Sequence, residues 1–262
     1  HVSPDVLRNA IREDTILVSV MMVNNEVGAI LDVQEISRTV KACQSDIIFH
    51  VDAIQAYGKM TITPKKWGID VLSVSGHKIH GPKGTGFLYI GDKVKIHPYI
   101  HGGGQQRGLR SGTENVPGIA GLGLATEKMY ANLEEHRNLL YDRKRYLIER
   151  LGEMSGVTVN ACLPPEIEQT APHILSVSIA GVRSEVLVHA LENRGIYVSS
   201  GSACSSHHPG ISGTLKAIGV EDSLLDSTIR VSFSFETKRE EIDYTIEQLK
   251  EIAPVLARYT RK

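Results

Sequence analysis

Cysteine is scarce in this sequence: three in 262 residues, Cys43, Cys162 and Cys204, widely spaced and forming no Cys-x-x-Cys pair. An odd, scattered set of this kind argues against a disulfide scaffold and for a reducing compartment. Charge of one sign is also lacking. Lys and Arg number 29 against 30 Asp and Glu, for a net charge of −1 and a pI near 6.9. Nothing electrostatic therefore recommends nucleic acid or an anionic membrane as a partner. No apolar run approaches the ~20 residues that cross a bilayer, no signal-peptide pattern opens the sequence, and no repeat or low-complexity segment occurs. The expectation is a soluble cytoplasmic protein, long enough for a sizeable core and two domains.

What the sequence does have is a lysine in an unusual setting. The run Val71-Leu-Ser-Val-Ser75 reads as a strand, ends at Gly76, and delivers His77 and Lys78 onto a turn rich in glycine, Gly81-Pro-Lys-Gly-Thr-Gly86. Glycine lets the backbone approach a ligand closely, and a lysine with little bulk around it is a candidate Schiff-base nucleophile. Upstream, Ile47-Ile-Phe-His-Val-Asp52-Ala-Ile-Gln55 is an apolar strand ending in an acid. An acid at the carboxyl end of a strand lies where open α/β sheets bind ligands, although Asp52 alone would serve equally as a helix cap. Ser75 and His77, beside the lysine, are suited to hold a phosphate.

The remaining pattern alternates strands and helices. Ser3-Pro4 opens a helix, and Thr15 to Met22 is a continuous apolar run suited to a strand buried on both faces. Asn24-Asn25-Glu26-Val-Gly28 reads either as turn chemistry or as an amide placed beside Asp52. A helix over 32–43 and strands over 47–51 and 86–90 complete βαβ units with a parallel sheet. One long helical stretch is expected from Ile119 to Leu151. Beyond it the second half reads as α+β, with strands over 157–159, 174–179 and 229–233, a helix from Ser184 to Arg194 closed by Gly195, and a final amphipathic helix opened by Thr237.

Two loops stand apart. His101-Gly-Gly-Gly-Gln-Gln-Arg107-Gly-Leu-Arg110-Ser-Gly-Thr113 offers amides, arginines and hydroxyls to an anion, or is a flexible surface loop; no Gly-Lys-Ser/Thr follows, so it is not a Walker A loop. Val198-Ser-Ser-Gly-Ser-Ala-Cys204-Ser-Ser-His207-His208 sets a cysteine among small polar residues, unlike the usual core cysteine. The two histidines could lower its pKa, but they lack zinc-ligand spacing, and no metal is expected. Cys43, in the expected 32–43 helix, and Cys162, beside two prolines, read as structural.

Ser75-Gly-His77-Lys78 with Gly81-Pro-Lys-Gly, Val51-Asp52-Ala-x-Gln55, Asn24-Asn25-Glu26-x-Gly28, Arg110-Ser-Gly-Thr113 and Ser199-Ser-Gly-Ser-Ala-Cys204 occur in this order, and together they resemble the cysteine desulfurases of the housekeeping iron–sulfur branch, in the class-V aminotransferase family. The resemblance covers essentially the whole sequence. It implies an α/β fold-type-I pyridoxal-phosphate transferase. A mostly parallel sheet with helices on both faces would form a large domain over 1–135, and a smaller α+β domain over 136–262 would carry the cysteine loop.

The resemblance also implies roles. Lys78 would bind the cofactor covalently and move the substrate's Cα proton, Asp52 would pair with the pyridinium nitrogen, and Gln55 with the phenolate oxygen. Ser75, His77 and, from the second subunit of a homodimer, Thr113 would hold the phosphate. Asn25 and Arg230 would orient L-cysteine and bind its carboxylate. Cys204 would take the sulfur as a persulfide, release alanine, and pass the sulfur to an iron–sulfur scaffold or to a carrier for tRNA or cofactor thiolation. Relatives carry a substantial segment before the residues aligned with His1, bearing early strands, a phosphate contact and a ring-stacking histidine. The expectation is therefore a fragment, a chain completed by another polypeptide, or a remnant. A second departure is Ser232-Phe-Ser-Phe235-Glu after Arg230, where many relatives have a glycine and then a polar residue. Two other readings stay open: a selenocysteine or cysteine/cystine lyase, and an inactive sulfur-accepting or scaffold-binding module.

Overall fold

The structure, a computed structural model, describes residues 2–161, 166–201 and 212–259. It falls into two compact units, His1–Val23 with Leu31–Leu133, and Asn24–Ile30 with Glu134–Lys262.

The first unit is built on a four-stranded sheet in the order β1 (Leu17–Met21), β2 (Ile48–Asp52), β3 (Val71–Ser75), β4 (Gly86–Ile90). The first three strands are parallel and β4 returns antiparallel, with Leu17 opposite Ile48, Asp52 opposite Ser73 and Ser75 opposite Gly86. Helix α1 (Pro4–Ala10) starts where the Ser3 hydroxyl accepts from the Val6 amide and proline occupies the first turn. Helix α2 (Val33–Cys43) is capped by Asp32, which accepts from the Glu35 amide, and it buries Val33, Ile36, Ser37 and Val40, a stripe at helical spacing. The Asp70 carboxylate stitches helix to sheet. It accepts from the Phe49 amide at 2.8 Å and from Lys41 Nζ at 2.6 Å.

Three details differ from the sequence reading. Strand β1 is not buried on both faces: Val18 is buried, whereas Leu17 and Met21 are exposed. The long helical stretch is two helices, α3 (Val116–Ala131) and α4 (Leu133–Gly152), broken at Asn132, whose φ of −129° and ψ of 40° leave the helical region. Cys43, at the last position of α2, is exposed.

The second unit holds an antiparallel sheet in the order β5 (Val157–Asn160), β6 (Ile174–Ile179), β8 (Thr228–Ser232), β7 (Ser199–Ser200). Every residue of β6 is buried. Its core joins Leu140, Leu147 and Leu151 of α4, Leu187 and Leu191 of α5 (Ser184–Glu192), and Ile242, Ile246 and Leu249 of α7 (Arg239–Ala257) to Leu175, Val177 and Ile229 of the sheet. Gly195, with φ of 76°, closes α5. Short α6 (Gly213–Ala217) is capped by Ser212, whose hydroxyl accepts from the Leu215 amide. Among the described residues no helix is long and apolar enough to cross a membrane.

Candidate functional site

Parallel pairing of β2 and β3 places the carboxyl ends of both strands on one edge of the sheet. Asp52 is the last residue of β2. Beyond β3 the chain tightens at once into a 3-10 turn, Gly76–Ile79, that carries His77 and Lys78. Sterics explain the glycines. A Cβ on Gly76 would lie 2.5 Å from Thr85 Oγ1, one on Gly81 would lie 2.9 Å from the Gly76 carbonyl oxygen, and one on Gly86 would lie 2.3 Å from the Val74 carbonyl oxygen. Main-chain bonds then lock the turn, from Gly76 N to Thr85 O at 2.8 Å and from Gly81 N to Gly76 O at 2.9 Å. His80, with φ of 63°, reverses the chain.

The turn presents reactive groups rather than consuming them. The Lys78 amine and the Ser75 hydroxyl make no hydrogen bond or ion pair among the described residues. His77 is exposed, and its pKa is lowered, first by desolvation and then by the charges of Lys78 and Lys83. Its imidazole is thereby biased to the neutral form. Asp52 Oδ1 accepts from the Ile54 amide at 2.8 Å, which leaves Oδ2 as an acceptor. Gln55 is buried in the turn that follows. Thr113 is exposed, just ahead of the Asn115 cap of α3. The loop before it holds Gln106 and Arg107 in the left-handed region.

One residue of this region escaped the sequence reading. Lys59 is only 7 % exposed, and its Nζ donates to the Lys78 carbonyl oxygen at 2.6 Å. Burial, and then the Lys78 charge, push its pKa down to about 8. The available signal was a lysine directly after a glycine, in a segment whose neighbours Ala53, Ala56 and Gly58 are small.

In the second unit, Asn24 does turn chemistry. Its side-chain oxygen accepts from the Glu26 and Val27 amides, and Gly28 (φ of 74°) completes the turn. The Asn25 carbonyl oxygen accepts from Arg230 Nη1 at 2.9 Å, while Arg230 Nη2 donates to Ser199 Oγ at 3.1 Å. The guanidinium is thus aimed by two elements at once. Glu26 accepts from the hydroxyls of Ser212 and Thr214, which fixes the start of α6. Cys204, His207, His208 and Cys162 lie outside the described residues.

The class-V aminotransferase model matches residues 1–245. Among curated proteins, a cysteine desulfurase IscS from Methanosarcina thermophila is 43 % identical over 255 residues, spanning 97 % of this chain and 62 % of that protein. A cysteine desulfurase IscS from Vibrio vulnificus is 42 % identical over 253 residues, spanning 95 % and 60 %. The solved structure of a NifS-like protein superposes with a TM-score of 0.88 at 38 % identity, covering 97 % of this chain and 66 % of that one. The chain thus spans about three-fifths of the length of these curated relatives. It belongs to the class-V aminotransferase family, whose members are pyridoxal-phosphate dependent. The residues of the first unit fit that group: an uncommitted amine for an aldehyde, a hydroxyl and an imidazole for a phosphate, and an open carboxylate oxygen for a ring nitrogen.

Proposed function

We propose that the protein to which this sequence belongs is a pyridoxal-phosphate-dependent cysteine desulfurase, converting L-cysteine to L-alanine through a persulfide on Cys204. The observation that carries this reading is the uncommitted Lys78 amine on a glycine-locked turn, with Asp52 at the carboxyl end of the neighbouring parallel strand. The identity to cysteine desulfurases over nearly the whole chain supports the choice of reaction.

When bound, pyridoxal phosphate supplies an electron sink for negative charge at the substrate Cα. In this reading Lys78 would be the covalent anchor for the group and the amine that carries the Cα proton. Asp52 would keep the ring nitrogen protonated and Gln55 would donate to the ring's phenolate oxygen. Ser75, His77 and a second protomer's Thr113 hold the phosphate. Arg230, aimed by Asn25 and Ser199, takes the substrate carboxylate in its fork, and Asn25 helps orient the amino acid. The Cys204 thiolate attacks the substrate sulfur. An S–S bond forms as the Cβ–S bond breaks, and the proton of the substrate thiol ends on carbon as part of the alanine methyl group. Residues 1–135 form the cofactor-binding part and 136–262 the part bearing the cysteine. The assembly is a cytoplasmic homodimer that hands sulfur to an iron–sulfur scaffold or a thiolation carrier.

The test is reduction with borohydride in the presence of pyridoxal phosphate, followed by peptide mapping, and, on separate unreduced protein, an assay of alanine from L-cysteine. A pyridoxyl group on Lys78, absent from Lys78→Ala, with alanine formed and, when an added thiol reductant cleaves the persulfide, sulfide released in equal amount, is the expected result. Labelling spread over surface lysines would refute the pocket. Turnover of selenocysteine but not cysteine would replace the desulfurase with a lyase.

A further inference from the structure

We propose that Lys59 is a positioning residue for Lys78: its buried ammonium, bonded to the Lys78 carbonyl oxygen, holds the Gly76–Ile79 turn in the form that presents the Lys78 amine. The inference rests on the reading of Lys78 as the cofactor lysine.

The local chain leaves that carbonyl without a donor of its own. In a helical turn, the oxygen of residue 78 would accept from the amide of residue 81 or 82. Gly81 N is already committed to the Gly76 oxygen at 2.9 Å, and residue 82 is proline, which has no N–H. An orphan carbonyl at the reactive residue would leave the turn free to relax. Lys59 Nζ, at 2.6 Å, fills the vacancy.

The position of Lys59 is itself prepared. Amides of Ala56 and Tyr57 bond to the Ala53 oxygen, and Lys59 N bonds to the Ala56 oxygen at 3.0 Å. Gly58 lies at φ of 75°, and a Cβ there would come within 2.8 Å of Ile79 Cγ2, so only glycine lets this segment close onto the residue after Lys78. The Gly58 amide is held in turn by Tyr130 Oη at 3.2 Å. The segment begins beside the acid, where Ala53 N bonds to the Ser73 oxygen. It thus connects the carboxyl end of β2 to the underside of the lysine turn.

A merely space-filling role would be met by an apolar side chain. Lys59 instead buries an ammonium with no carboxylate partner among the described residues, an arrangement that is unfavourable unless the hydrogen bond has a use. Its pKa, lowered to about 8 by burial and by Lys78, registers that cost.

The test compares wild type with Lys59→Met in two readouts: the rate at which pyridoxal phosphate becomes borohydride-trappable on Lys78, and amide exchange in the cofactor-free protein. The Met variant should trap about tenfold more slowly, the effect of losing one hydrogen bond from a charged donor. Its faster exchange should be confined to Ile79, His80 and Gly81, with β1 and β2 protected as in wild type. Wild-type trapping overturns the proposal. So does faster exchange throughout the unit, which would mark Lys59 as general packing. If the Met variant does not fold, Lys59→Gln carries the comparison, because it keeps an N–H donor one bond shorter and drops the charge. Intermediate slowing with local loosening supports the proposal, and wild-type values in both readouts overturn it. Wild-type protein that never traps at Lys78 would refute the cofactor reading, and the exchange comparison would still decide whether Lys59 holds the turn.

Discussion

Lys59→Met should change how stability depends on pH, in a direction set by where the wild-type side chain titrates. Lysine ordinarily titrates at 10.5, and burial with the adjacent Lys78 charge brings Lys59 down to about 8. Between those values the unfolded chain holds a proton that the folded protein has released, so wild-type stability rises with pH across this window. Each pH unit of separation corresponds to about 1.4 kcal/mol, for a total of about 3 kcal/mol. Lys59 is nearly inaccessible to solvent, so little of this is lost to screening. The variant lacks the rise. It also leaves the Lys78 carbonyl without its donor, at a cost of roughly 1–3 kcal/mol. The two effects oppose each other near neutral pH, where the variant should match or slightly exceed wild type. At the alkaline end only the lost hydrogen bond remains, and the variant should be the less stable. Tyr130, whose pKa is raised by burial, titrates in both proteins and largely cancels in the difference. Urea unfolding at a series of pH values from 7.5 to 10.5, analysed with a common m-value, gives that difference directly. A difference that stays flat across the window would show that Lys59 is not a desolvated ammonium and would remove the reasoning.

Three further outcomes are expected. Cys204→Ala should keep the cofactor on Lys78 and lose sulfide release; unchanged turnover would end the persulfide role. Arg230→Lys gives up the two-pronged contact with the Asn25 carbonyl and the Ser199 hydroxyl and should raise KM for L-cysteine by about tenfold or more, with a smaller change in kcat, read by steady-state kinetics. Gly86→Ala places a methyl 2.3 Å from the Val74 carbonyl oxygen, a main-chain atom that cannot step aside. It should destabilise by about 2 kcal/mol or more in urea melts, whereas Gly123→Ala, in open space on α3, should gain about 0.5–1 kcal/mol.

What was legible in the sequence was local or periodic. Ser3 announced a helix start, and its hydroxyl accepts the Val6 amide; the helix expected over 32–43 forms as α2, with Asp32 as its cap. The βαβ alternation implied a parallel pairing, which puts Asp52 and Lys78 at one edge of the sheet without any distance being known. The misjudgements came from non-local causes. The apolar run at β1 promised burial on both faces, but hydrophobicity records what a strand tolerates, not what covers it, and Leu17 lies open. Helical periodicity ran through Asn132 because a single non-helical residue barely disturbs a pattern of 3.6. Lys59 was missed because its only local signal, a lysine after a glycine among small residues, does not say what the side chain binds. Its reason is the carbonyl of Lys78, 19 positions away.

The turn at Asn24–Ile30 makes the same point from the other unit. In the sequence it continues β1, and its amides invite a role beside Asp52. In the structure its bonds run to distant residues: Gly28 O accepts from the Ala171 amide at 2.7 Å, Asn25 O from Arg230, and the Glu26 carboxylate from Ser212 and Thr214. Gly28 makes this possible, because a Cβ there would lie 3.2 Å from Ile174 Cβ and its φ of 74° is strained for any L side chain. Arg230 is therefore held by a main-chain oxygen, which any residue at position 25 would supply. That hydrogen bond does not depend on the identity of the Asn25 side chain, whose role toward the substrate amino acid belongs to the proposed function, while Gly28 and Asn24 shape the turn that carries it.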